Sequence, residues 1–179
     1  MFLTADTFYK SHPIQNAWVV YHDNHNTTIN FIDNGTNYIL HSNPEKQDST
    51  IEKKARNFWM KNRIENIIHI KDNSDLQNLI IRQPFIYFKG NKILLLNSGY
   101  WKNKKSTYLL PIDYAIISKG FSGKLSDIAE LFSIQTVILC SRFQLLQTSS
   151  ITKRSRSIGH ILLFDKKIWS MDIQYRYTT

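Results

Sequence analysis

The sequence of 179 residues predicts one domain of the α/β (α+β) class, in which mixed β-sheets are combined with helices. Three observations lead to this fold class. Short apolar runs bounded by turn residues open the chain, a single helical pattern interrupts them, and a strand, turn, helix and strand follow in series. No repeat and no Pro-, Gly- or Ser-rich linker divides the sequence. We expect a lead-in segment, residues 1–16, and a single domain, residues 17–179.

The domain is predicted to open with strands. Ala17–His22 is apolar almost throughout, as a buried strand is. Two further runs, Thr28–Ile32 and Tyr38–His41, are joined across Asp33-Asn34-Gly35. Asn-Gly between such runs predicts a hairpin, because both residues tolerate the positive φ that a type I′ turn requires.

A helix is predicted next, between Asp48 and Arg63. The apolar residues that share one face at helical spacing are Ile51, Ala55, Phe58 and Trp59. Four short apolar runs follow it: Ile67–Ile70, Ile80–Ile81, Phe85–Phe88 and Ile93–Leu96. The last two runs are separated by Lys89-Gly90-Asn91-Lys92, which predicts a second hairpin.

A βαβ-like unit is predicted after residue 110. It consists of strand Tyr114–Ser118, the turn Lys119–Gly123, a helix and strand Thr136–Cys140. The inner face of that helix is predicted to be Leu125, Ile128, Ala129 and Phe132. Beyond the unit, Ser149–Ser157 is predicted as a basic helix or loop, and Gly159–Phe164 and Ile168–Ile173 are predicted to form a closing hairpin.

Composition excludes several classes of protein. The single cysteine, Cys140, cannot form an intramolecular disulfide or a thiolate metal cluster. The longest apolar run, Ala17–Tyr21, is far shorter than the roughly 18 residues that cross a bilayer. The net charge is +9, from 23 basic and 14 acidic residues. Part of this surplus is explained by a composition rich in Ile, Lys and Asn, but +7 of it lies in residues 101–179.

Catalytic and metal-binding patterns are absent from the sequence. The histidines do not form H-x-H or H-E-x-x-H, and the nearest pair, His22 and His25, brackets a probable turn. The turn Lys119–Lys124 lacks the G-x-x-x-x-G-K-[ST] spacing of a phosphate-binding loop. We therefore expect no catalytic residue, no metal ion and no cofactor.

Two basic clusters remain as candidate binding sites. The first, Trp101-Lys102-Asn103-Lys104-Lys105, is preceded by Tyr100, and the second is Lys153-Arg154-Ser155-Arg156. Basic side chains neutralise phosphates and neighbouring aromatic rings stack on bases, so such loops suit single-stranded nucleic acid. The alternative is that both clusters are solvated loops without a partner.

The order of the elements resembles the C-terminal domain of ComEC, the DNA-uptake channel protein of competent bacteria. The resemblance is carried by the two hairpins and above all by Ile112–Lys124, continuing through Leu131 to Val137–Cys140. It spans about residues 17–175. That domain resembles a metallo-β-lactamase fold, so the resemblance implies a sandwich of mixed sheets with trimmed loops.

The positions at which the family places its metal ligands differ in this chain. The family's L-I-D-x-G corresponds to Ile39–Asn43, its L-L-x-G-D to Leu95–Gly99 and its His-His turn to Lys119-Gly120. Its H-x-H-x-D-H motif has no counterpart here. A metal-dependent hydrolase generates its nucleophile on the metal ion, so the resemblance implies a degenerate domain without that reaction.

The function implied by the resemblance is that of a non-catalytic, soluble C-terminal domain of a DNA-uptake protein of the inner membrane. Its implied partners are the transmembrane channel part of the same protein, single-stranded DNA and, in an oligomer, a second copy. The residues expected to contact phosphates are Lys102, Lys104, Lys105, Lys119, Lys124, Lys153, Arg154 and Arg156.

Two alternatives remain open at this point. In one, the domain is a structural or oligomerisation module that packs against the channel and its charge faces anionic lipid or solvent. In the other, it is a nuclease or another hydrolase with an unusual metal centre formed by His22, His25 and His41.

Overall fold

Two mixed β-sheets and two helices form the part of the chain that the computed structural model describes, which is residues 16–22, 27–41, 49–64, 66–140, 158–163 and 171–174. The first sheet has five strands: β1 (Asn16–His22), β2 (Thr27–Asp33), β3 (Thr36–His41), β4 (Asn66–Ile70) and β12 (Met171–Gln174). Their order across the sheet is β12-β1-β2-β3-β4, and only β3 and β4 are parallel.

The second sheet has seven strands, in the order β11-β10-β9-β8-β7-β6-β5. They are β5 (Asn73–Leu76), β6 (Leu79–Arg82), β7 (Phe85–Phe88), β8 (Asn91–Leu96), β9 (Leu110–Ile117), β10 (Phe132–Leu139) and β11 (Ile158–Leu163). Strands β8 to β11 run parallel, whereas β5 to β8 form antiparallel hairpins.

Both predicted hairpins are confirmed, and each turns at a residue pair with positive φ. Asn34 (φ 49°) and Gly35 (φ 84°) join β2 to β3, and Lys89 (φ 44°) and Gly90 (φ 86°) join β7 to β8. Non-glycine residues occupy this left-handed region rarely, but Asn tolerates it and a glycine follows in both turns.

The buried side chains show that the elements stack in four layers. Trp18, Phe31 and Leu40 of the first sheet meet Phe88 and Ile116 of the second in a central core. On the outer face of the first sheet lies helix α1 (Ser49–Lys61), which buries its Ala55 and Trp59 there. On the outer face of the second sheet lies helix α2 (Leu125–Ala129), which buries its Leu125 and Ile128. The expected α+β sandwich of mixed sheets is therefore confirmed.

The structure corrects three details of the predicted elements. Gly159–Phe164 and Ile168–Ile173 do not form a hairpin, because β11 pairs with β10 in the second sheet and β12 pairs with β1 in the first. Helix α2 ends at Ala129, so Phe132 begins β10 instead of completing the helix, although it still packs in the same core. Strand β5 was not predicted, because its Asn-Ser-Asp sequence is typical of a turn.

Some predictions fall outside the described residues. These are the conformation of Ser149–Ser157 and nearly all of the lead-in segment 1–16. The division into a lead-in segment and one domain stays a prediction.

A partly buried ion pair joins the two sheets at one end of the sandwich. Lys89 Nζ lies 2.6 Å from Asp33 Oδ1, and the two side chains are only 17% and 14% exposed. Asn78 donates a hydrogen bond of 2.7 Å to the other oxygen of Asp33, and Lys89 also donates to Asn16. At this end of the sandwich, β2 finishes and β8 begins. The carboxyl ends of β3, β8, β9 and β10 therefore lie at the opposite end.

Removal of Asp33 should test this link between the sheets. The variant Asp33→Ala leaves the ammonium of Lys89 without its carboxylate in a largely desolvated place, so we expect a loss of about 3 kcal/mol in the free energy of unfolding. Urea denaturation measures it. The matched control is Asp75→Ala, whose partner Arg82 and own side chain are more than half exposed, with an expected loss below about 1 kcal/mol. Equal losses in the two variants would contradict this interpretation.

Candidate nucleic-acid interface

The candidate interface lies where three parallel strands of the second sheet end. Leu96 of β8, Ile117 of β9 and Leu139 of β10 lie side by side in the register of the sheet. The backbone N–H of Ser118 donates to the carbonyl of Leu96 at 2.9 Å, which continues the pairing beyond the strands. The loop 97–109 and the turn 118–124 therefore start next to each other.

Two glycines hold this loop and this turn in close contact. Gly120 has φ +100°, and a Cβ there would lie 2.4 Å from the carbonyl oxygen of Asn97. A Cβ on Gly99 would likewise lie 2.4 Å from Ser122 Oγ. At Gly120 the facing atom is backbone, so only a residue without a side chain allows this approach, whereas the Ser122 hydroxyl that faces Gly99 can rotate away.

Trp101 anchors the loop to the outer face of the second sheet. Its ring meets the ring of Phe132 edge to face at 5.1 Å and that of Phe85 at 6.1 Å, within the core that α2 also covers. The backbone N–H of Lys102 donates to the carbonyl of Gly99 at 3.1 Å and closes a turn around the anchor. Lys102 and Lys105 are consequently fixed by the loop and exposed to solvent.

The same loop carries two exposed tyrosines, one near each of its ends. Tyr100 is 65% exposed, and Tyr108, at the end of the same loop, is 87% exposed. Lys104 Nζ lies 3.2 Å from the centre of the Tyr100 ring, a cation–π contact that covers one face of that ring. The sequence did not single out Tyr108, because Tyr108-Leu109, directly before β9, is as typical of a buried strand as of an exposed loop.

The turn 118–124 contributes two more of the predicted residues. Lys119 and Lys124 are both exposed. The carboxylate of Asp127 accepts a hydrogen bond of 3.2 Å from the backbone N–H of Lys124, so Asp127 caps α2. Within the described part of the chain, no carboxylate forms an ion pair with Lys102, Lys105 or Lys124.

Five of the eight predicted phosphate contacts thus lie on two adjoining segments. They are Lys102, Lys104, Lys105, Lys119 and Lys124. The other three, Lys153, Arg154 and Arg156, lie outside the described residues.

Of the three histidines proposed for a hydrolase, His41 is the one whose side chain the structure describes, and it contacts neighbouring side chains. His41 is buried, its Nδ1 lies 3.1 Å from Thr28 Oγ1, and its Nε2 lies 3.3 Å from Nδ1 of His69. The imidazoles stack with ring centres 5.4 Å apart. The sequence did not predict this pair, because it depends on the parallel register of β3 and β4. The side chains of His22 and His25 lie outside the described part.

The residues at the two turns do not fit a metal ion held by imidazole and carboxylate. Lys119 presents an ammonium, Gly120 has no side chain, and the carbonyl of Asn97 fills the space beside it. Asn97, Ser98 and Gly99 supply neither an imidazole nor a carboxylate. In the ranges that the structure describes, three or more His, Cys, Asp or Glu side chains nowhere form a group able to bind a metal.

Cys140, which follows β10 at the same edge, is an inert side chain. It is 1% exposed, and desolvation by burial raises the pKa of its thiol to about 12. The thiol stays protonated at neutral pH and is therefore no nucleophile.

The four layers, with basic loops at the carboxyl ends of parallel strands, define an α+β sandwich domain. The family model for the ComEC C-terminal domain matches residues 18–159. The chain therefore belongs to the ComEC C-terminal domain family, and it is a domain of a competence DNA-uptake protein. Comparisons with curated proteins and with solved structures gave no match.

The ComEC family is associated with the membrane in DNA uptake. In the described part of this chain, neither helix has the length and apolar character needed to cross a bilayer.

The contact between turn and loop can be tested at Gly120. We expect Gly120→Ala to destabilise the domain by at least about 2 kcal/mol more than Gly90→Ala, because both positions have positive φ but only Gly120 faces a backbone atom at 2.4 Å. Nothing lies within 4 Å of a Cβ on Gly90, so that variant measures the backbone strain alone. Equal midpoints in urea would show that the close approach is not needed.

Proposed function

We propose that this domain contacts single-stranded DNA during uptake through the basic surface formed by the loop 97–109 and the turn 118–124. The observation that carries the proposal is the position of three lysines on these two segments. Lys102, Lys105 and Lys124 are exposed, and no described carboxylate pairs with them. Tyr100, which directly follows Gly99 in the loop, adds an exposed ring to the same surface.

The chemistry of this surface suits a flexible, negatively charged strand. Each lysine that neutralises a phosphate releases a condensed counterion, so binding is driven by charge and weakens with salt. An unpaired strand also exposes base faces, which the exposed part of the Tyr100 ring can stack against. A duplex hides its base faces and would use the lysines alone.

The remaining predicted residues extend or support this surface. Lys119 lies in the same turn as Lys124 and adds a fourth positive charge there. Lys104 holds the ring of Tyr100 and so orients it. Lys153, Arg154 and Arg156 stay predicted phosphate contacts.

The proposal includes a non-catalytic role without a metal ion or cofactor. Its support is the donor set at Lys119-Gly120 and Asn97-Ser98-Gly99, which offers no imidazole or carboxylate. The domain then serves as the tail of an inner-membrane protein, where it positions incoming DNA against the transmembrane channel part.

Neutralising the surface should weaken DNA binding. We expect the triple variant Lys102→Gln, Lys105→Gln and Lys124→Gln to bind a labelled oligothymidylate roughly tenfold or more weakly at low salt. The slope of log affinity against log salt concentration should fall by about 2, since each lost contact to a single strand contributes about 0.7. Fluorescence anisotropy measures both quantities.

The matched control removes the same charge from the opposite layer of the sandwich. Lys53, Arg56 and Arg63 are exposed on and just after α1, and replacing all three with Gln also lowers the net charge by three. Affinity and slope should change much less in this control. Equal weakening in the two variants would show that binding follows net charge and not this surface. No binding to the parent chain would favour a structural module instead.

The non-catalytic role has its own test. Protein purified without chelator is expected to hold no stoichiometric zinc or manganese by elemental analysis, and to leave single-stranded DNA intact when either metal is added. A molar equivalent of bound metal, or cleavage of the DNA that does not occur without the protein, would support the hydrolase alternative.

A further inference from the structure

Strand β4 forms one edge of the first sheet. It pairs with β3 on one side, and no other strand in the described part of the chain pairs with it. The outward N–H and C=O groups of an edge strand have no partner within their own sheet, so an edge is a template for another strand.

The sequence of β4 lacks the features that usually protect an edge. Asn66–Ile70 contains no Lys, Arg, Asp, Glu or Pro. Two adjacent isoleucines lie on its two faces: Ile67 is 39% exposed and Ile68 is 44% exposed. An exposed, uncharged, isoleucine-rich edge is expected to pair with another chain.

The edge strand β5 of the second sheet shows the contrast. Its sequence Asn-Ser-Asp-Leu is polar, and its Asp75 forms an exposed ion pair with Arg82 of β6. Charges of this kind discourage pairing between sheets of different molecules. Of these two edges, β5 therefore carries protecting charge, whereas β4 carries none and has no second neighbouring strand among the described residues.

We propose that β4 pairs with β4 of a second copy of this chain, antiparallel and about a two-fold axis, so that two five-stranded sheets become one continuous sheet. The occupant is a second copy because the strand is its own complement. With the axis at Ile68, Asn66 lies opposite Ile70 and Ile67 opposite His69. This register places His69 opposite the uncharged Ile67, so no two charges of one sign face each other.

The proposed contact is small, and its size determines how stable a dimer we expect. A pair of five-residue strands with two exposed isoleucines on each buries less than the roughly 1,200 Å² of a standard stable interface. The dimer is therefore weak and reversible, and its population depends on concentration.

The proposal is tested by measuring the molar mass across concentration. In sedimentation equilibrium from about 1 μM to about 1 mM, the parent chain should rise from 21.1 kDa towards twice that mass. Ile68→Lys should stay monomeric over the whole range, because it places two ammonium groups opposite each other at the axis. The matched control is Ile80→Lys, which introduces the same charge at a residue that is 38% exposed on the interior strand β6, and it should dimerise like the parent.

A second variant tests the register without adding charge. Ile68→Cys should form an intermolecular disulfide under mild oxidation, because directly opposed residues of an antiparallel pair lie within about 5.5 Å between Cα atoms. The native Cys140 is buried and should not compete. A parent chain that is monomeric throughout, a dimer that survives Ile68→Lys or is lost equally in Ile80→Lys, or an Ile68→Cys chain that does not cross-link would each overturn the proposal.

Discussion

The parallel pairing of β8, β9 and β10 is the constraint on which the rest of the structure depends. Parallel neighbours cannot be joined by a tight turn, so each connection must return across a face of the sheet. The loop 97–109 makes the first return and α2 makes the second. Both returns bury apolar anchors, Trp101 and Leu125, on the same outer face. The loop and the turn therefore begin side by side at the carboxyl ends of these strands, where Gly120 approaches Asn97.

The chain uses lysine in two physically different ways. Lys89 is largely buried, and its charge is offset by Asp33 in a contact that fixes one end of the two sheets. Lys102 and Lys105, in the loop that leaves the other end, and Lys124, in the turn beside its start, are exposed. They keep their hydration and so can exchange water and counterions for phosphates. Burial therefore distinguishes the structural lysine from the exposed ones.

Local signals in the sequence predicted most elements. The pairing of strands that are distant in sequence was not predicted correctly. Asn34-Gly35 and Lys89-Gly90 define their hairpins within a few residues, and the βαβ-like unit follows from periodicity. The partners of β11 and β12 depend on sheets assembled far away in sequence, so their apolar runs were paired wrongly with each other. The same limit applies to the interface: its lysines were visible as a cluster, but the contact of Gly120 with Asn97 was not.

The most direct test of the central claim is to map where DNA touches the chain. Backbone amide NMR spectra recorded with and without a short oligothymidylate would report this residue by residue. We expect shifts and intensity changes in residues 97–109 and 118–124, with α1 unchanged. Changes confined to α1 and the first sheet, or a spectrum that saturating oligonucleotide leaves unaltered, would contradict the account.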